Sequence, residues 1–158
     1  MRKKKKIINP KVKIESKYNS FLVSKLINKI MKDGKKNKAV NIVYSAAGVL
    51  EKETKENNFI EILETAINNI KPEYELVSYK RGASTQRRPV KVNENRALGI
   101  SLRWLVEGAR KLNVNSKEMY ENLATEIKEA TKKSGNAFSQ KQKLEKEVSV
   151  NMVFSKIR

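Results

Sequence analysis

The sequence predicts a mainly α fold: one domain over residues 14–158, with about six helices and a two-stranded β-hairpin projecting between the third and fourth. Three observations carry this expectation. Apolar residues recur at steps of three and four through most of the chain, as one buried helix face requires. The period falls to two only between about residues 73 and 92. Asp33-Gly34, Lys71-Pro72, Gly82 and Gly135 divide the chain into segments of helical or hairpin length.

Residues 1–13 (MRKKKKIINPKVK) hold seven basic residues and no acid. They read as an arm that repels itself when free and orders on a polyanion. A solubilising tail or a nuclear localisation signal has the same composition. The first helix is expected over 20–33, where Leu22, Val23, Leu26, Ile27, Ile30 and Met31 share a face. Ser20 stands at its N-cap and Asp33-Gly34 at its end. A second helix starts near Asn37, with Ala39, Val40, Val43, Ala47 and Leu50 inward. The short link DGKKN makes the two antiparallel or crossed neighbours. A third helix covers 58–70 with Phe59, Leu63, Ala66, Ile67 and Ile70 on one stripe, until Lys71-Pro72 stops it.

Between residues 73 and 92, Tyr74, Leu76 and Ser78 alternate with Glu75, Val77 and Tyr79, and Val90 and Val92 alternate beyond KRGAST. This is a hairpin pattern with its turn near Gly82. Pro89 cannot donate a ladder hydrogen bond, so its strand is an edge. Two strands are too few for a core sheet. The ribbon should therefore project, with Lys80, Arg81, Arg87 and Arg88 near its tip; a solvated loop is the plainer alternative.

The fourth helix, 94–112, has the sharpest division of faces. Advancing about 100° per residue from Leu98, the residues Leu98, Leu102, Leu105, Ala109 and Leu112 fall within about 40° of one line. Arg96, Arg103 and Arg110 fall on the opposite side as a stripe about 21 Å long. Ordinary solvated faces mix Glu with Arg, and here only Glu107 interrupts. Trp104 lies on the flank and reads as a packing residue. A fifth helix spans 116–134, with Met119, Leu123, Ile127 and Ala130 inward and Gly135 ending it. A sixth, 139–154, has the thin stripe Leu144, Val148 and Met152, which holds only if the helix docks. No internal repeat occurs.

Composition excludes much chemistry. Cysteine and histidine are absent and Asp33 is the only aspartate. Disulfides, Ser-His-Asp or Cys-His triads and thiolate or imidazole metal sites cannot be built. No GxxxxGK[ST] loop occurs, and no run of about 20 apolar residues that would span a membrane. The reading is of a non-enzyme with no cofactor, no metal, no membrane and no small-molecule substrate. What remains is charge: 35 basic against 17 acidic residues, net +18. Residues 1–13 and 80–111 each contribute +7, whereas 14–79 and 112–158 contribute +1 and +3. Six of the eight arginines lie between Arg81 and Arg110. Arginine offers a planar fork of donors and stacks on bases, so this segment is the expected contact surface for a polyanion.

Particular stretches carry a family likeness. MKDGKKNKAVNIVYSA (Met31 to Ala46) resembles the first interhelical loop and second helix of the ribosomal small-subunit protein seven family. RGASTQRRPVKV (Arg81 to Val92) resembles its ribbon tip and returning strand. LRWLVEGARK (Leu102 to Lys111) resembles its fourth helix, and NAFSQKQKLEKEVSVNMVFSKIR (Asn136 to Arg158) is loosely similar to its last. The likeness runs in one register from about residue 9. It departs at the ribbon tip, where the family usually has a double glycine and a Tyr-Gln pair and this chain has Gly82-Ala83 and Gln86-Arg87. It departs again in the last helix, where VSVN (Val148 to Asn151) replaces MAEAN and Glu145 stands at a usual His.

The resemblance implies a six-helix domain with a projecting ribbon. It implies primary binding to the 3′ major domain of small-subunit ribosomal RNA, nucleation of head assembly, and a ribbon near the exit-site transfer RNA and messenger RNA. Small-subunit ribosomal proteins nine and eleven are the implied protein partners. By position, the implied RNA contacts are Lys35 and Lys36 in the loop, Lys80, Arg81, Arg87 and Arg88 on the ribbon, and Arg96, Arg103, Arg110 and Lys111 around the fourth helix. Arg2, Lys3, Lys4, Lys5 and Lys6 join them by composition alone. A DNA-binding helical module is the alternative, since two helices joined by DGKKN resemble a helix-turn-helix. The Lys-rich start is unlike an import presequence. The Lys, Asn and Ile content leaves three expected settings for the ribosome: the cytoplasm of an AT-rich bacterium, the mitochondrial matrix or the plastid stroma.

Overall fold

A computed structural model describes residues 17–54, 58–112 and 118–156. The expected basic arm lies outside the described residues. Six helices and one hairpin follow in order: α1 (Phe21–Ile30), α2 (Lys36–Thr54), α3 (Phe59–Ile70), β1 (Tyr74–Arg81), β2 (Ser84–Lys91), α4 (Glu94–Lys111), α5 (Met119–Thr131) and α6 (Gly135–Lys156). The mainly α class, the helix number and the place of the hairpin match the expectation.

The core forms because each helix buries the stripe its sequence carries. Val23, Leu26, Ile27 and Ile30 of α1 meet Ala39, Val43, Ala47 and Leu50 of α2 and Phe59, Leu63, Ala66, Ile67 and Ile70 of α3 in one apolar cluster. Leu102, Leu105 and Ala109 of α4 join it with Leu123, Ile127 and Ala130 of α5. Removing each large aliphatic side chain from water contributes about 1.5–3 kcal/mol. α5 packs against α2, α3, α4 and α6 and so holds the bundle together. Asn69 fastens its exit: the amide donates to the Ala130 and Thr131 carbonyls at 3.1 and 3.0 Å, in the last turn of the helix. Trp104 packs half-buried against the core, as its flank position suggested.

Three helix ends differ from the sequence reading. α1 stops at Ile30 rather than Asp33, and Met31 turns extended (φ −54°, ψ 131°). Asp33 and Gly34 then take left-handed conformations (φ 51° and 71°) inside the loop. Ser20 holds the N-cap position without a side-chain cap; its carbonyl instead accepts from the Ser24 hydroxyl at 3.0 Å. Gly135 does not end α5, which stops at Thr131; it opens α6 with φ 88°. α6 thus starts four residues before the expected 139 and docks on α3, α4, α5 and both strands. That docking accounts for a helix whose own apolar stripe is thin.

The α6 start rests on a feature that periodicity missed. Glu126, fully buried on α5, accepts the Ala137 backbone N–H at 2.6 Å in the first turn of α6. Gly108 makes room for it on α4: a Cβ there would lie 2.7 Å from the carboxyl. The pairing satisfies one of the open N–H groups of a helix start.

Candidate nucleic-acid interface

The ribbon pairs Tyr74 with Lys91 through to Arg81 with Ser84, leaving the two-residue turn Gly82-Ala83. Gly82 has φ 60° and Ala83 is not in the left-handed region. A turn of that pattern needs glycine only at its first position, which explains why alanine serves at the second. Successive side chains on a strand point to opposite faces. Arg87, opposite Ser78, therefore lies on one face and Arg88, opposite Val77, on the other. The two do not form one patch at the tip. Arg87 turns towards α6 and meets Glu147 at 3.4 Å, while Arg88 shares its face with exposed Val77, Tyr79 and Val90. Lys80 is exposed opposite Thr85, and Arg81 is the last residue of β1.

On α4, Arg96, Arg103, Arg110 and Lys111 are all exposed, on the side away from buried Leu102, Leu105 and Ala109. The arginine stripe thus exists, but two of its members also hold the fold. Arg96 Nε donates to Glu75 Oε2 at 2.7 Å and ties the ribbon's root to the start of α4. Its side chain remains 64% exposed against 19% for Glu75, so solvent screens the arginine end and the pair contributes about 1 kcal/mol. Arg110 reaches back to the Ile30 carbonyl at 3.2 Å, where α1 ends. Arg103 has no such tie among the described residues.

Arg110's reach joins two basic segments that are distant in sequence. Lys35 and Arg110, together with Lys32 and Lys38, line one cleft of about 480 Å³ between the α1–α2 loop, the end of α4 and the start of α5. Among the described residues no carboxylate lines it. Lys32 and Lys38 were absent from the sequence reading. The signal was available only as charge density, since four lysines fall between Lys32 and Lys38 beside the lone Asp33; Lys35 itself precedes α2. Lys36 is exposed as the first residue of α2. Arg2, Lys3, Lys4, Lys5 and Lys6 lie outside the described residues. Among the described residues no group of acidic side chains is arranged to hold a metal ion, and no helix is long and apolar enough to cross a membrane.

The cations of the cleft, of α4 and of the ribbon give this surface the chemistry to neutralise phosphates. Residues 1–151 match the sequence profile of the family described as ribosomal protein S7p/S5e. The chain is 40% identical over 145 residues to the small ribosomal subunit protein uS7 of Hydrogenobaculum sp., covering 89% of each chain. It is 37% identical over 159 residues to that of the Wolbachia endosymbiont of Brugia malayi, covering all of this chain and 99% of the relative. Against uS7A of Aquifex aeolicus the identity is 39% over 149 residues, covering 91% of each.

Proposed function

The chain belongs to the ribosomal protein S7p/S5e family, and from that premise we propose that it serves the small ribosomal subunit as a primary RNA-binding protein. Its expected target is the 3′ major domain of small-subunit ribosomal RNA, where it would nucleate assembly of the head. The observation that carries this reading is the joining of the α1–α2 loop to the arginine stripe of α4 through Arg110. Two basic segments some 75 residues apart become one surface free of carboxylates at its cleft, suited to converging RNA backbones. RNA helices are read chiefly by shape, through phosphates and 2′-hydroxyls, which such a surface can grip without a base code.

The exposed outer ribbon face, with Val77, Tyr79, Val90 and Arg88, suits the single-stranded messenger RNA and transfer RNA expected near the exit site. Ribosomal proteins nine and eleven are the proposed neighbours. Catalysis is no part of the reading: the role is carried by position and charge. Hydroxyl-radical footprinting of intact small-subunit ribosomal RNA tests the proposal. Protections clustered in the 3′ major domain are expected; protections spread evenly over all domains would refute it.

A further inference from the structure

The cleft is more than a cluster of cations. Its floor is apolar, made by Met31, Ile42 and Met119. Asn122 lines it from the first turns of α5, is only 3% exposed, and has no side-chain hydrogen-bond partner among the described residues. Glu126 Oε2 is the one wholly buried side-chain polar atom without a partner among the described residues, so the Asn122 amide still reaches solvent, and at the cleft it is available to a ligand that offers both a donor and an acceptor. The volume of about 480 Å³ falls within the roughly 300–1,000 Å³ of small-molecule sites. A phosphate alone would satisfy the lysines and leave the amide and the apolar floor unused.

We propose that this cleft receives one unstacked nucleotide of the bound RNA. The base lies on Met31, Ile42 and Met119, the Asn122 amide hydrogen-bonds its edge, and Lys32, Lys35, Lys38 and Arg110 hold the flanking phosphates. An amide is the side chain that meets a base edge with a donor and an acceptor together. Arg110 does double duty, since its bond to the Ile30 carbonyl fixes the wall between α1 and α4. The inference rests on the RNA-binding reading and adds to it a single point at which sequence, rather than shape, is read.

Two measurements on the full chain test it. In binding titrations with the 3′ major domain fragment over a salt series, Asn122→Ala should weaken binding by about tenfold. Its salt slope should match the wild type, because no charge is removed, whereas Arg103→Ala should lower the slope by about one. Wild-type affinity in a folded Asn122→Ala protein would overturn the nucleotide site and leave the RNA reading standing. Methyl NMR of the unbound wild-type protein is independent of that variant's folding and of the RNA target. Adenosine 5′-monophosphate should shift the methyls of Met31, Ile42 and Met119, and inorganic phosphate should not. Equal shifts with phosphate, or none with either, would reduce the cleft to an anion patch. Failure to bind any RNA would sink the proposed function, and the mononucleotide result would still decide the cleft.

Discussion

Glu126 shows how much one residue can do here. Burial pushes its carboxyl above the ordinary carboxylate range, and Glu129 adds to the rise, while hydrogen bonds from Ala137 and Asn136 oppose it. Its Oε2 has no partner among the described residues. A carboxyl with a raised folded-state pKa contributes stability that is complete below its unfolded pKa and is lost as pH rises through the folded value. The melting temperature of wild type relative to Glu126→Gln should therefore fall as pH climbs from about 4 towards neutrality. A flat difference across that range would contradict the assignment. The arginines separate in the same way. Arg103→Ala should weaken RNA binding and leave the melting temperature unchanged. Arg110→Ala should also release the Ile30 carbonyl, costing about 1 kcal/mol and about 2–4 °C by thermal melt. The cationic residues were legible from sequence because charge and helical period announce them. Glu126 and Asn122 were not, because a lone Glu or Asn on a helix gives no sign that Gly108 on another helix has made room, or that a cleft lies beside it.

At the scale of elements, helix interiors were legible and helix ends were not. The stripes of α1 to α5 are strong enough to fix type and inward face. Ends depend on which loop residue takes the left-handed turn, and tertiary contacts choose it: Asp33 and Gly34 both do so beyond α1, and Gly135 does so at the start of α6. Gly135 illustrates this: it looks like a stop, yet the Glu126 carboxylate makes it the start of α6. The ribbon's existence was legible from the change of period, but the opposed faces of Arg87 and Arg88 required the register. The turn supplies a prediction of its own. Gly82→Val places a β-branched residue at φ 60° and should cost the turn about 1–2 kcal/mol. Because the ribbon lies outside the apolar core, hydrogen exchange should quicken for ribbon amides alone, with the core amides of α4 and α5 unchanged. Faster exchange throughout would mean that the ribbon supports the bundle.

For the molecule as a whole, net charge named a polyanion partner, and its clustering named the segments. It could not show that the α1–α2 loop and the first turn of α2 lie beside the end of α4, since that follows from α1 and α4 packing together and from Arg110 crossing between them. The whole account stands on this surface binding RNA through its cations with a preference for ribosomal RNA. The most direct test is a salt-series titration of the full chain against the 3′ major domain fragment, with duplex DNA of equal length as competitor. A steep linear fall of log affinity with log salt is expected, with binding that excess duplex DNA leaves in place. Displacement by duplex DNA at equal concentration would contradict it and favour a DNA-binding module instead.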